Sequence, residues 1–232
     1  MMKKTIILLA VFLSSMPMLV AQDVKTLLKQ VKDKYDKVND YTADGKMKTN
    51  VLFIKAPIAQ VKIYYKKPDK LKIRNEKGVS FIPKGSVNIN INNVLALDNY
   101  EAIDGGKEKV NGTECRVVKI FPISDDENIT RATLHIDEKQ QIVIKSVIST
   151  KENGTYELVM TYKNYVSYGL PDKAVLTFNT KEFKLPKGIS IDYDNGTDKD
   201  KKDKEKQRKG KVEITYTKYN INKGVPDSVF TN

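Results

Sequence analysis

Residues 61–74, VKIYYKKPDKLKIR, show the clearest alternation of apolar and polar positions in the chain. One face of this segment carries the apolar side chains of Val61, Ile63, Tyr65, Leu71 and Ile73. A period of two residues predicts two half-buried strands. Pro68 has no N–H donor and therefore predicts the turn between the strands. The pattern favours an antiparallel sheet with one apolar face and one basic face that is exposed to solvent.

The same period recurs along most of the chain after residue 40. Strands are predicted at residues 41–51, 61–66, 70–74, 79–82, 87–91, 114–121, 132–136, 142–149, 156–165, 175–180, 189–191 and 212–219. Before them, Asp23 and the helical spacing of apolar residues predict one amphipathic helix over residues 24–38. A short second helix is predicted at residues 94–103, with a turn at Gly105 and Gly106 after it.

Residues 1–21 are typical of a secretory signal peptide. Lys3 and Lys4 precede an apolar stretch at residues 6–13, and Ala21 offers a cleavage site before Gln22. The alternative is an uncleaved membrane anchor, which needs about 20 apolar residues. This stretch is shorter and is interrupted by serines and a proline. We therefore expect an exported chain that is soluble in the periplasm after cleavage, with residues 22–232 forming a single domain.

The net charge of the chain is +12, and removing the two lysines of the signal peptide leaves +10. Residues 198–211 hold eight basic and four acidic residues but no apolar residue, and we predict a mobile charged loop at about residues 192–210. Nucleic acid is not an expected partner, because lysine dominates and no nucleic-acid-binding motif accompanies the charge. Weak, salt-sensitive and transient contact with an anionic membrane surface is expected instead.

The residues that most enzymes and metal sites need are scarce. The chain has one histidine, His135, one cysteine, Cys115, and no tryptophan, so a zinc cluster cannot be assembled. No phosphate-binding glycine loop occurs. His135 alternates with apolar neighbours, which predicts an exposed position on a strand, and Cys115 is expected to pack as a small apolar residue. The acidic residues 125–127 lack the spacing of a calcium loop and are interpreted as solvated. We expect no catalysis, no metal and no cofactor.

Several segments follow the predicted helix in a fixed order: YYKKPDKLKIRN, GVSFIPKG, VNGTECRVVKIFP, LHIDEKQQIVIKSVI and YELVMTYKNYVSYGLPDKAVLTF. This order resembles the LolA-like family of outer-membrane lipoprotein-sorting proteins over about residues 24–191. The resemblance implies an incomplete barrel of antiparallel strands, closed by helices, whose concave apolar cavity holds lipoprotein acyl chains. Related proteins are lipid carriers or envelope-stress sensors.

The strand pattern and the resemblance together predict a mainly β (α+β) fold. We expect a curled antiparallel half-barrel of about ten strands, covered by the N-terminal amphipathic helix and a short second helix. The expected lipid-binding residues are Met47, Val61, Ile63, Tyr65, Leu71, Ile73, Leu134 and Ile136. The resemblance implies that Lys67 takes the place of a functionally important basic residue before the turn proline. It also implies that Leu71 faces the cavity, while core packing of Leu71 is an equal alternative.

The function implied by the resemblance is that of a periplasmic carrier. Such a protein would bind lipid or lipoprotein acyl chains and ferry them toward the outer membrane. Its partners would be the acyl chains, an inner-membrane release machinery and an outer-membrane acceptor. The alternative is an envelope-stress sensor or scaffold of the same fold that binds a protein partner along a sheet edge.

Overall fold

The computed structural model describes residues 23–51, 54–55, 58–77, 91–152, 154–179 and 209–231. Its elements, in chain order, are helix α1 (Val24–Tyr35), strands β1 (Asp40–Val51), β2 (Ile54–Lys55), β3 (Ala59–Lys66) and β4 (Lys70–Lys77), helix α2 (Ile91–Leu95), and strands β5 (Tyr100–Val110), β6 (Thr113–Pro122), β7 (Ile129–Asp137), β8 (Ile142–Thr150), β9 (Gly154–Thr161), β10 (Lys173–Asn179) and β11 (Lys209–Ile221). Short 3₁₀ helices span Val166–Tyr168 and Asp227–Val229. The predicted signal peptide, the strands predicted at residues 79–82 and 189–191, and residues 192–208 of the predicted loop lie outside the described residues. So do residues 87–90 of the strand predicted at 87–91, and the remaining residue, Ile91, begins α2 instead.

All the described strands belong to one antiparallel sheet. The order across the sheet is β4-β3-β1-β11-β10-β9-β8-β7-β6-β5, and β2 pairs with the end of β1. Because β4 and β5 lie at opposite ends of this order, the described sheet does not close into a barrel. The predicted fold, a curled antiparallel half-barrel with few helices, is confirmed.

The last long strand, β11, lies in the middle of the sheet, between β1 and β10. Sequence analysis placed Lys209 and Gly210 in the charged loop, and this was wrong, because both belong to β11. Gly210 is buried, and a Cβ atom on it would lie 2.4 Å from ring atoms of Phe178. The apolar alternation starts only at Val212, so lysine and glycine at the start of the strand gave no signal.

Helix α1 forms where its capping residue and apolar spacing predicted it. The Asp23 side chain accepts a hydrogen bond from the backbone N–H of Thr26 at 3.3 Å, which satisfies one free donor of the first turn. The helix buries one face, made of Leu27, Leu28, Val31 and Tyr35. It ends at Tyr35 rather than at the predicted residue 38, and Val38 is buried in the connection to β1.

The second helix and the strand after it differ from the prediction for residues 94–103. The helix spans Ile91–Leu95, and β5 already begins at Tyr100. Tyr100 and Ala102 pack against the core while Ile103 is exposed, so a period of two replaces the helical period here. Gly105 and Gly106 form a bulge within β5 rather than a turn, because the register with β6 shifts there. A glycine pair fits a turn or a bulge equally well, and the sequence cannot separate them.

Two hydrophobic clusters fill the concave side of the sheet. The first joins α1 and α2 to strands β6, β7 and β8, and Leu134 and Ile136 lie within it with no exposed surface. The second joins β1 and β3 to residues of β9, β10 and β11, among them Tyr156, Phe178 and Val212. Helix α1 therefore covers only one part of the concave face, and the functional question concerns the part beside it.

Candidate functional site

An apolar cavity lies on the concave face next to α1. The space between its walls, including the open mouth, is about 1040 Å³, and the centres of water molecules can occupy about 140 Å³ of it. Strands β1, β3, β4, β9, β10 and β11 form most of the wall, and the rest comes from both helices and residues 168–171. We call this space the chamber. Its wall is aliphatic and aromatic except for Asn92 and the tyrosine hydroxyls.

Five of the expected lipid-binding residues lie in the chamber wall: Met47, Ile63, Tyr65, Leu71 and Ile73. Antiparallel pairing explains their convergence, since Leu71 lies opposite Tyr65 and Ile73 lies opposite Ile63 on neighbouring strands. Leu71 and Ile73 are half-buried on β4, at one end of the described sheet, whereas Met47, Ile63 and Tyr65 are buried.

The other three expected residues lie elsewhere. Val61 is buried in the same hydrophobic cluster but is not part of the chamber wall. Leu134 and Ile136 belong to the cluster around α1, so the helix occupies the space that sequence analysis assigned to a ligand. Alternation shows which strand face points inward, but it does not show which part of that face a helix covers.

Most of the wall was not predicted from the sequence, including every wall residue on β9, β10 and β11. These residues are Leu158, Met160, Ala174, Leu176, Val212, Ile214 and Tyr216. Their alternation in the sequence predicted the strands themselves. What the sequence did not contain was the position of β11 beside β1, which brings the two halves of the wall together.

The hydroxyls of two wall tyrosines, Tyr35 and Tyr65, bond to other protein groups, which leaves their rings as an apolar surface. The Tyr35 and Tyr162 hydroxyl oxygens are 3.0 Å apart, and Tyr162 donates to the carbonyl oxygen of Val143 at 2.9 Å. The Asn92 side-chain amide donates to the Tyr65 hydroxyl at 2.7 Å. Such bonds remove most of the penalty for placing a hydroxyl beside an apolar ligand.

Aromatic contacts fix the ring positions on the β1, β3 and β11 side of the chamber. Tyr41 stacks on Tyr65 with ring centroids 5.2 Å apart, and Tyr216 stacks on Tyr219 at 5.1 Å. Tyr41 meets Tyr219 edge-on at 5.3 Å. Burial raises the pKa of Tyr65 and of Tyr216 to about 12, so the wall stays uncharged at neutral pH.

Lys67, the predicted basic residue before the turn proline, ties the β3–β4 turn to the end of α1. Its ammonium group donates to the carbonyl oxygen of Asp36 at 2.6 Å and lies 3.2 Å from the Asp36 carboxylate. Its backbone N–H donates to the carbonyl oxygen of Asn39 at 2.9 Å. Lys67 lies outside the chamber wall and lines a second cavity of about 730 Å³. We call this second cavity the vestibule.

The basic outer face of β3 and β4 is only partly exposed to solvent, which corrects the expectation from sequence. Residues 222–231, which we call the C-terminal segment, lie against it. The Asp227 carboxylate accepts hydrogen bonds from Lys66 and Lys70, both at 2.7 Å. Lys72 and Arg74 donate to backbone carbonyl oxygens of the same segment, each at 3.2 Å. These bonds, from Lys66 first, lower the pKa of Asp227 to about 2.

His135 lies in a buried position, so its predicted exposure on a strand was wrong. It is 4% exposed, and its Nε2 atom lies 3.0 Å from a carboxylate oxygen of Glu108. Strands β6 and β8 flank β7 on both sides, and His135 lies opposite Val117 of β6 and Lys145 of β8. Cys115 is buried in β6, as predicted, and burial raises its pKa to about 11.

Two features are absent from the part of the chain that the structure describes. No three histidine, cysteine, aspartate or glutamate side chains lie together as metal ligands would. None of the described helices has the length and apolar character needed to cross a membrane.

The sheet and the chamber define a class of protein: an open antiparallel half-barrel, partly covered by helices, with an apolar space on its concave face. Solved structures show that this fold is LolA-like. A DUF1329 family protein from Desulfovibrio piger matches with a TM-score of 0.56 at 14% identity, over 90% of this chain and 98% of its own. A LolA superfamily protein from Nitrosomonas europaea matches with a TM-score of 0.55 at 10% identity, over 91% of this chain and 99% of its own.

A third structure of this fold, from Vibrio parahaemolyticus, is described as an outer-membrane lipoprotein-sorting protein domain. It matches with a TM-score of 0.55 at 11% identity, over 90% of this chain and 97% of its own. No protein-family model and no curated protein matches the sequence. At these identities the likeness concerns the fold.

Proposed function

We propose that this protein is a periplasmic carrier that binds lipid or lipoprotein acyl chains in the chamber and ferries them toward the outer membrane. The observation that carries the proposal is the chamber itself, a partly open space with an apolar wall beside the helix. The LolA-like fold and the signal-peptide pattern of residues 1–21 support it. The carrier would receive its cargo from an inner-membrane release machinery and deliver it to an outer-membrane acceptor.

Transfer of an acyl chain needs no covalent chemistry, and we propose that the protein is not an enzyme. Transfer of an acyl chain from water to an apolar environment is favourable by about 0.8 kcal/mol for each CH₂ group, or about 13 kcal/mol for about 16 groups. This transfer free energy is about the same for a bilayer and for an apolar chamber. The cargo can therefore exchange between them without an energy source.

The rim of the chamber is consistent with a mouth for an acyl chain. Leu71 and Ile73 are half-buried members of the wall on β4, a strand at the end of the sheet. Tyr168, in the wall near the other side, is 38% exposed. Apolar groups at a rim of this kind give a chain continuous contact as it enters.

Filling the chamber tests the proposal. Ala174 is in the wall on β10, and Ala174→Trp would place an indole ring in the space that the acyl chain needs. The matched control is Val175→Trp, because the next residue of a strand points to the other face. We expect Ala174→Trp to lower co-purified lipid and the affinity for Nile red at least about tenfold, and Val175→Trp to change neither. Native mass spectrometry and dye titration give both quantities. A wild-type chamber that is empty and ignores the dye would contradict the proposal.

A sensor or scaffold that binds another protein is the second candidate, and the edge strand β5 favours it. In the described residues β5 pairs only with β6, and Ile103 on it is 53% exposed. An extended segment of another protein can add to such an edge. Affinity purification from the envelope separates the candidates. A membrane regulator that is lost on Ile103→Pro would favour the sensor, and acylated lipoproteins that are lost on Ala174→Trp would favour the carrier.

A further inference from the structure

The vestibule and the chamber are neighbouring spaces with a common wall. Tyr35, Tyr65 and Asn92 line both of them. The remaining residues of the vestibule differ in character from the chamber, because they include Lys32, Asp36 and Lys67. An apolar cavity next to a charged cavity matches the two parts of an amphiphile, an apolar tail and a polar head group.

Positive charge exceeds negative charge in the vestibule. The ammonium groups of Lys32 and Lys67 both contact the Asp36 carboxylate, so two cations share one anion. The C-terminal end of α1 adds about half a negative charge. Burial alone would raise the pKa of Asp36, but the hydrogen bonds from Lys32 and Lys67 outweigh it and lower the pKa. Asp69, exposed in the turn, is not part of the vestibule wall.

Both lysines remain within reach of a ligand. The Lys32 side chain is 46% exposed and the Lys67 side chain is 31% exposed. An ammonium group has three donors, and neither lysine uses all of them on Asp36. At the common wall, the Asn92 amide and the Tyr65 hydroxyl supply further polar groups where a tail would meet its head.

We propose that the vestibule binds the anionic head group, a carboxylate or a phosphate, of an amphiphile whose chain lies in the chamber. The inference rests on the proposed function and adds the class of ligand: an anionic lipid in preference to a neutral lipid of the same chain. Lys32 and Lys67 donate to the head group, and Asp36 keeps them in place when the site is empty.

The test compares ligands that differ only in the head. Displacement of Nile red by oleate is compared with its displacement by oleyl alcohol. In the same way, displacement by oleoyl lysophosphatidate is compared with displacement by monoolein. All four ligands are used below the concentrations at which they aggregate. For the wild type we expect at least one anionic ligand to bind about tenfold more tightly than its neutral counterpart, as one charge-assisted hydrogen bond implies. The pair with the larger ratio distinguishes carboxylate from phosphate.

Variants separate head-group binding from a structural role. Lys32→Gln and Lys67→Gln should each lower the anionic-to-neutral affinity ratio about threefold while leaving the affinity for the neutral ligand unchanged. Lys67→Arg keeps the charge and should restore most of the ratio, even if the turn depends on a cation there. The matched control is Lys29→Gln on α1, because Lys29 pairs with Asp33 and lies outside the vestibule wall.

Each outcome has a defined meaning. Equal affinity for both heads, or loss of both affinities together in Lys32→Gln and Lys67→Gln, would overturn the head-group inference while the carrier proposal stands. Failure of all four ligands to displace the dye would overturn both.

Discussion

The Lys66 ammonium group lies 2.7 Å from the Asp227 carboxylate, and this pair holds the C-terminal segment on the outer face of the sheet. Lys70 contacts the second oxygen of the same carboxylate at 2.7 Å. Asp227 therefore pairs with two lysines of the face that the sequence predicted to be basic and exposed to solvent. The availability of that face for an anionic membrane depends on whether the segment stays in place.

Removing the Asp227 charge should strengthen binding to anionic vesicles. Asp227→Asn frees Lys66 and Lys70, and each lysine near an anionic surface adds about fivefold in affinity. Sedimentation with vesicles that contain phosphatidylglycerol, at low and high salt, measures the effect. The control is Asp33→Asn, which changes the net charge equally but lies on α1. Equal effects of the two variants, or binding that salt does not weaken, would contradict a role for this face.

The buried tyrosines predict a loss of stability in alkaline solution. Burial raises the pKa of Tyr35 from 10.0 to about 12 in the folded state. Between pH 10 and pH 12 the unfolded state releases this proton more readily than the folded state does. The free energy of unfolding is therefore unaffected below about pH 10 and falls by about 2–3 kcal/mol as the pH rises to about 12. Urea denaturation at pH 8 and pH 11.5, with tyrosinate absorbance as a second readout, measures it.

Tyr35→Phe is the variant that checks this assignment. It removes the contact with Tyr162, which costs about 1 kcal/mol at pH 8, while Tyr162 keeps its bond to Val143. The variant should therefore lose less stability than the wild type between pH 8 and pH 11.5. An identical loss would assign the alkaline transition to other groups.

Gly210 is predicted to tolerate no side chain. A Cβ atom there would lie 2.4 Å from two atoms of the buried Phe178 ring, so Gly210→Ala should destabilise the fold by about 1–3 kcal/mol. Lys211→Ala, at the exposed neighbouring position, should change the stability by less than about 0.5 kcal/mol. The double variant Gly210→Ala with Phe178→Leu should cost less than the sum of its parts, as measured by urea denaturation. Additive costs would show that the two residues do not share this space.

Local patterns predicted the elements of this fold better than their arrangement. The alternation around Pro68 gave β3 to within two residues and β4 to within three, and Asp23 gave the start of α1. The position of β11 between β1 and β10 depends on contacts between residues far apart in the sequence, which no local period records. His135 is buried although its neighbours in the sequence pointed to an exposed position, and its Glu108 partner lies 27 residues away in the sequence, where no local period records it.

The candidate site shows the same limit, since inward-facing residues divide between the chamber and the core. Leu71 is half-buried in the chamber wall, and Leu134 is fully buried beneath α1. In the sequence both are leucines on the apolar face of an alternating strand. Only the path of the helix across the sheet distinguishes them, and that path is a tertiary property.

This difference between Leu71 and Leu134 yields the last prediction. Leu134→Ala should cost about 2–5 kcal/mol of stability, because it leaves a void in a core with no exposed surface. The folded fraction should still bind Nile red as the wild type does. Leu71→Asn should cost less than about 1.5 kcal/mol, because the position is half-buried, but should weaken the binding of dye and acyl chain about tenfold. Thermal melting and dye titration on the same samples give both quantities. If Leu71→Asn destabilises the fold as much as Leu134→Ala and leaves dye binding intact, then Leu71 is a core residue and the chamber is not the site of binding.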